Sequence, residues 1–334
     1  MKFFVRGAAI AAGAALAACL PMVVGDYYVG LLVRIMIYAL FALSLQLLVG
    51  GAGLISLGQA AGFGIGAYAV ALLAPADSAG NFFVLLPCAM MGAAAFAWVT
   101  GMLALRTKGI YFLMVTLAFA QMVYYVFHDT KLGGGSDGIY LAFRPQWSLG
   151  SAFTLSVDGK HAFYMLVLAC LLLAWAGLAL LMRTRFGAAL TGIRVNEQRM
   201  RAAGYVTFHY KLVAYVLAGA LAGAAGLLYA VKDGYVTPEL LAWEQSGLVL
   251  LMVILGGTGP LWGAVIGAVA LTLLQELFQS AAIFGRWADH WHLTFGAAVI
   301  VMVALLPKGL VGLPDQWRNS RARAAMPAVV QAKQ

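Results

Sequence analysis

The chain has 334 residues, 63% of them hydrophobic and only 10% charged, whereas a soluble domain carries about 25% charged residues. That is too few to cover a water-facing surface. A nucleic-acid binder would reach the net charge of +9, from 21 Lys and Arg against 12 Asp and Glu, with many more charges of both signs, so a bilayer is the remaining solvent and no nucleic acid is expected as a partner.

Lys2, Arg6 and the apolar run 7–24 open the chain. The run reads as an Ala-rich first membrane helix; the alternative is a cleaved signal, since Leu16-Ala17-Ala18-Cys19 matches a lipoprotein cleavage pattern. Further apolar runs lie at 31–49, 58–74, 82–105, 109–128, 162–182, 211–231, 245–257, 260–281 and 291–307. The fold class expected is an all-α polytopic membrane helical bundle of about ten segments, to within two. At 1.5 Å per residue, 58–74 spans only about 25 Å and 245–257 about 20 Å, so these two are expected to be broken, tilted or re-entrant. Residues 1–313 form the transmembrane domain. The basic, Ala-rich stretch 314–334 is expected to be a disordered cytoplasmic tail.

Two long polar stretches interrupt the pattern. Segment 129–160 carries Gly133-Gly134-Gly135-Ser136-Asp137-Gly138 and reads as an outer loop. Segment 183–210 is the most basic part of the protein and reads as inner. With the N-terminus inside, 15 of the 21 basic residues fall on the cytoplasmic side with only Glu197 and Asp315 as acids there. That side sums to +13 and the other to −4, which the positive-inside rule demands. An even number of crossings with both termini cytoplasmic follows.

Few residues could carry chemistry. There is no phosphate-binding Gly-x4-Gly-Lys-Ser/Thr loop, no His-Glu-x-x-His and no Cys-x-x-Cys. Cys19, Cys88 and Cys170 make no metal spacing or disulfide framework. His290 and His292 beside Asp289 fit an interfacial belt with Trp287 and Trp291 better than a metal site. No catalytic constellation is visible, which argues against an enzyme, including one acting on lipid. Arg34 and Glu276 are the ionisable candidates within the membrane, each close enough to an outer end to snorkel. The scarcity of midplane acids argues against an ion-driven carrier.

The stretch Gly50–Gly66 contains Ser56, Gln59 and Gly62 spaced by four from Gly66; Gly219 with Gly223 and Gly263 with Gly267 repeat that spacing. Close helix packing accounts for the latter two pairs. In 50–66 the glycines also imply a break in regular helix, which at membrane depth must be buried in protein or face water. Ser56, Gln59, Gly62 and Gly66 are therefore candidates for a translocation path. Val49-Gly50-Gly51-Ala52-Gly53-Leu54 is echoed by Leu255-Gly256-Gly257-Thr258-Gly259-Pro260. The echo reflects either related halves with breaks at the transport route or glycine content alone, and it adds Gly256, Gly257 and Gly259 as candidates. The inner segment 186–205 reads as a short amphipathic helix. Leu190, Ile193 and Met200 approximate one face, Arg194, Glu197 and Arg201 supply charge, and Gly204 is the stop. A partner's groove and anionic lipid are both open as its counterpart.

Several motifs together resemble the permease subunits, of the LivM type, of ABC importers for branched-chain and other hydrophobic amino acids. They are Leu54-Ile55-Ser56-Leu57-Gly58-Gln59-Ala60 with Phe63-Gly64-Ile65-Gly66-Ala67-Tyr68, and Lys108-Gly109-Ile110-Tyr111-Phe112 with Val115-Thr116-Leu117-Ala118-Phe119. Gly134-Gly135-Ser136-Asp137-Gly138, Arg185-Phe186-Gly187 through Arg194 and Asn196-Glu197-Gln198-Arg199 to Gly204, Ile254 through Gly263, and Leu306-Pro307-Lys308-Gly309-Leu310 complete the set. The resemblance covers about 35–313, and Gln59 stands where family members often carry histidine. It implies an inner-membrane subunit paired with a homologous second permease, two cytoplasmic ABC ATPase subunits and a periplasmic substrate-binding protein. The chain itself would hold no cofactor, ATP and Mg being bound by the ATPases. Gly187, Arg194, Asn196, Glu197, Gln198, Arg199 and Gly204 would form the ATPase-coupling loop, and Thr116 would join the translocation path. Substrate choice would lie mostly with the binding protein. A permease for urea, short amides or a sugar is the rival within this class; a stand-alone channel or secondary carrier is the rival outside it.

Overall fold

The structure, a computed structural model, describes residues 20–22, 25–74, 80–141, 147–148, 154–155, 159–280, 290–306 and 309–312. The expected first helix, apart from a short turn at Leu20–Met22, lies outside these residues with its signal-peptide alternative, and so does the tail 314–334.

Helix α1 (Asp26–Gln46) continues through a wider, π-type turn at Leu47–Ala52 and stops at Gly53, whose φ of 70° only glycine adopts freely. It is apolar on every side and buried nearly all round from Ile35 to Val49, as a helix without a polar face must be. Around it lie α2 (Gln59–Leu73), α3 (Phe82–Ala104), α4 (Ile110–Asp129) and α5 (Lys160–Arg183). Two short helices follow, α6 (Arg185–Val195) and α7 (Glu197–Ala202). Then come α8 (Thr207–Asp233), α9 (Trp243–Gly256), α10 (Leu261–Gln279) and α11 (Trp291–Leu305). Among the described residues seven helices are long and apolar enough to cross a membrane; α2 and α9 are shorter, and they are the two runs expected to be broken. The chain is an all-α polytopic bundle.

Glycine sets how closely the helices approach. A Cβ at Gly66 would lie 2.0 Å from the Gly223 carbonyl oxygen, and one at Gly226 would lie 1.7 Å from that of Phe63. Parallel α2 and α8 therefore touch backbone to backbone. The antiparallel pair α9 and α10 does the same, since a Cβ at Gly256 would lie 1.9 Å from the Gly263 oxygen. Such contacts replace the hydrophobic drive that lipid removes.

Contacts at the two ends define the polarity of the bundle. Lys160 Nζ meets Asp26 Oδ2 at 2.6 Å, joining the starts of α5 and α1. At the same end β1 (Ile139–Tyr140) pairs antiparallel with β4 (Tyr235–Val236), tying the outer loop to the end of α8. In the region expected as a loop, β2 (Trp147–Ser148) pairs with β3 (Thr154–Leu155). At the opposite end Arg194 reaches Gly50. Helices of alternating direction thus bring Arg183, Arg185, Arg194, Arg199 and Arg201 to one end, and Asp26, Asp129, Asp137 and Asp233 to the other.

The inner segment departs from the expected single amphipathic helix. Asn196 is extended (φ −158°, ψ 100°) and its side-chain oxygen accepts from Arg199 N at 2.9 Å. A side chain that caps a new helix outcompetes continuation of the old one. Met200 consequently packs across the break toward Gly192 instead of extending the face of Leu190 and Ile193. Gly204 does act as a stop: its φ is +88°, and Tyr205 N donates back to Met200 O at 3.1 Å.

Candidate functional site

The break between α1 and α2 is exposed at Gly53 and Ile55 and buried from Ser56 to the start of α2, save for the partly buried Leu57. Residues Gly53–Gly58 run without regular helix before α2 begins at Gln59. At the buried end backbone groups lack water, and side chains supply their partners. Leu57 N donates to Thr116 Oγ1 of α4 at 3.2 Å, Gly58 N to Ser56 Oγ at 3.1 Å, and Ala60 N to Ser246 Oγ of α9 at 2.8 Å. Tyr215 of α8 is buried against the break, its hydroxyl 3.1 Å from where a Cβ on Gly58 would lie. The result is a polar seam through an apolar core. Gln59 is 3% exposed, and its Oε1 finds no partner among the described residues. The space beside it, bounded by Gly58, Gly62, Phe96 and Tyr215, is ≈ 10 Å³, at the lower limit for one water.

Of the expected path residues, Ser56, Gln59 and Thr116 are brought together at this seam. Gly62 and Gly66 face α8 and Gly256 faces α10, so these three serve helix contact. Gly257 (φ 115°) and Gly259 lie apart from the seam, in the inner turn between α9 and α10. Gln46 holds that turn: its Nε2 donates to Pro260 O at 3.2 Å and to Gly257 O at 3.4 Å. A cavity of ≈ 220 Å³ beside it is bounded by Gln46, Gly50, Gly51, Met182, Gly259 and Pro260. The sequence reading did not single out Gln46, Ser246 or Tyr215. Gln46 and Tyr215 sit in apolar runs, Ser246 follows Glu244 and Gln245 at a helix start, and the groups all three meet are remote in the chain.

Helices α6 and α7 cap the inner end. Gly187 sits where a Cβ would come within 2.4 Å of Met182 Cα, so it permits the sharp turn out of α5. Arg194 Nη1 donates to Gly50 O at 2.6 Å, and its stem covers Gly53, fastening α6 to the π-type turn of α1. Glu197 accepts from Lys211 Nζ at 2.6 Å, Arg201 Nη2 at 2.7 Å and Thr207 Oγ1 at 3.0 Å, fastening α7 to the start of α8. Burial alone would raise the Glu197 carboxyl, but the bond and charge of Lys211, with Thr207 and Arg201, outweigh it and hold the group down at about 2. Gln198 and Arg199 are exposed. The outer surface of the cap is a groove of ≈ 500 Å³ lined by Ala188, Thr191, Val195, Asn196, Arg199 and Met200. Of the expected coupling residues, then, Gly187, Arg194 and Glu197 bind the cap to the bundle, while Gln198 and Arg199 face outward.

Residues 27–304 match the family described as the permease component of branched-chain amino acid transport systems. The chain is 31% identical over 315 residues to the high-affinity branched-chain amino acid transport system permease protein LivM of Escherichia coli, covering 89% of this chain and 72% of that one. It is 24% identical to the LivH permease protein of Salmonella typhimurium, over 83% of this chain and 92% of that one. The autoinducer 2 import system permease protein LsrC of Klebsiella pneumoniae is 29% identical over 181 residues, 53% of this chain and 48% of that one. No solved structure matches.

Proposed function

The chain belongs to the permease family of branched-chain amino acid transport systems, and from this we propose that it is the membrane-crossing subunit of an ATP-driven importer of branched-chain or other hydrophobic amino acids. The chain-wide similarity to LivM carries the reading. Similarity to LsrC covers only half the chain, so the amino acid reading is preferred to another small solute. A homologous second permease, two cytoplasmic ATPase subunits and a periplasmic binding protein complete the assembly. ATP and Mg belong to the ATPases, and the membrane is the bacterial inner membrane. Both termini are cytoplasmic in this reading, which the positive-inside count supports: 15 of the 21 basic residues fall on that side.

In this reading the groove on α6 and α7 receives an ATPase subunit. Closure of the ATPases moves the cap, and the Arg194–Gly50 and Glu197–Lys211 bonds pass the movement to α1 and α8. Such coupling requires two discrete arrangements that both partners bias. The outward residues test it. Val195→Asp with Arg199→Glu, in the assembled importer, should leave the permease in the membrane while ATP hydrolysis no longer supports uptake. Normal uptake by the correctly assembled variant would overturn the docking assignment.

A further inference from the structure

The two glycine-rich stretches that echo each other in the sequence, 49–54 and 255–260, meet at the inner end of the bundle. Gln46, just before the first stretch, is 1% exposed and donates from Nε2 to Pro260 O at 3.2 Å and to Gly257 O at 3.4 Å. Gly50 lets the stretches touch, since a Cβ there would lie 2.9 Å from Gln46 Nε2 and 3.1 Å from Thr258 O. The turn between α9 and α10 is also packed against Gly309, where a Cβ would lie 2.7 Å from Gly257 Cα.

These contacts close a ring. One side runs from Gln46 through the π-type turn and the break to Ala60; the other is α9, from Ser246 to its end at Gly256. Ser246 bonds Ala60 N at one join, and Gln46 bonds the turn after α9 at the other. At 1.5 Å per residue α9 sets the joins about 15 Å apart. Within the ring Gly53–Gly58, which include Ser56, lack regular helix. A helix carries displacement of one end to the other, so relative movement of α1 and α9 is taken up at the break. Arg194 of the cap enters the same ring at Gly50.

Three features allow the Gln46 join to open. Its Oε1 is buried without a partner among the described residues, so the joined state leaves an acceptor unmet, which costs free energy. Beside it lies the cavity of ≈ 220 Å³ bounded by Gln46, Gly50, Met182 and Pro260, several times a water's share of liquid volume, about 30 Å³. The turn that follows Gln46 is π-type, a rare form that is frequent at functional sites. We propose that Gln46 is a positioning residue for transport: its bonds hold α9 in register with α1 and keep the seam shut, and the cap opens the seam by shifting this join through Arg194. Gln46 touches no solute in this role. The inference rests on the ATP-driven importer reading above, which supplies the movement of the cap.

The test uses the complete importer in proteoliposomes with Ser56→Cys, and in parallel Thr116→Cys, both buried in the seam. Labelling by a small methanethiosulfonate without ATP is followed by intact mass, counting only adducts absent from the parent. Gln46→Met, of similar length but with no donor, should raise the resting rate about tenfold, the order expected for two lost hydrogen bonds. Ser246→Ala, at the far join, should also raise it. The two together should fall short of the product of their separate effects, as coupled residues do. Gln46→Asn, whose amide stops one methylene short of both carbonyls, should match Gln46→Met and replaces it if that variant does not assemble. Val167→Cys, buried in α5, should stay unreactive throughout. An unchanged resting rate in the assembled Gln46 variants, equal acceleration at Val167→Cys, or effects of Gln46→Met and Ser246→Ala that multiply would overturn the proposal. Acceleration of labelling by ATP and liganded binding protein with Gln46 intact, measured separately, tests the importer reading itself.

Discussion

Ser246 and Glu197 show how single polar side chains hold this apolar molecule together. Ser246 Oγ is the partner of Ala60 N at a helix start with no other cap. Ser246→Ala should strand that N–H in a medium without water and cost about 1–3 kcal/mol, read as a lower thermal midpoint of the purified protein; an unchanged midpoint would show that α2 starts without it. Glu197 gives a pH signature. Its carboxyl lies at about 2 in the folded protein against an ordinary 4.5. A depressed carboxyl stabilises the fold above its unfolded value and loses that contribution as it protonates. Stability should therefore fall as pH drops from 4.5 toward 2, and Glu197→Gln, less stable at neutral pH, should lack that component when thermal midpoints are compared across pH. The role of neither residue was legible in the sequence. Serine 186 residues from its partner carries no local signal, and Glu197 among arginines reads as surface charge.

At the scale of helices, length and glycine spacing carried most of the legible information. Runs 58–74 and 245–257 were too short for a bilayer, and α2 and α9 are short. The four-residue glycine spacings mark backbone contacts between α2 and α8 and between α9 and α10. Periodicity could not show that 186–205 divides at Asn196, because the choice between one helix and two rests on a cap of about 1 kcal/mol. Two predictions belong here. Gly226→Leu has no space beside Phe63 and should separate α2 from α8, abolishing recovery of monodisperse protein, whereas Gly247→Ala, with open space around it, should be neutral. Asn196→Ala should fray α7 and raise hydrogen exchange over Glu197–Ala202 without altering the membrane helices.

Across the whole molecule, the +9 of the composition resolves into two opposite ends, a basic one capped by α6 and α7 and an acidic one tied by β1 and β4. The basic end carries the groove along α6 and α7 that is proposed to receive an ATPase subunit. Between them the seam at Ser56, Gln59 and Thr116 is closed, which suits a subunit whose path opens only when an energy-supplying partner acts on it. The most direct measurement is leucine uptake by proteoliposomes holding this chain with its second permease and ATPases, with ATP and binding protein supplied or withheld. The account predicts uptake only when ATP and liganded binding protein are both present, and none by this chain alone. Uptake by the chain alone, or uptake indifferent to ATP, would contradict it.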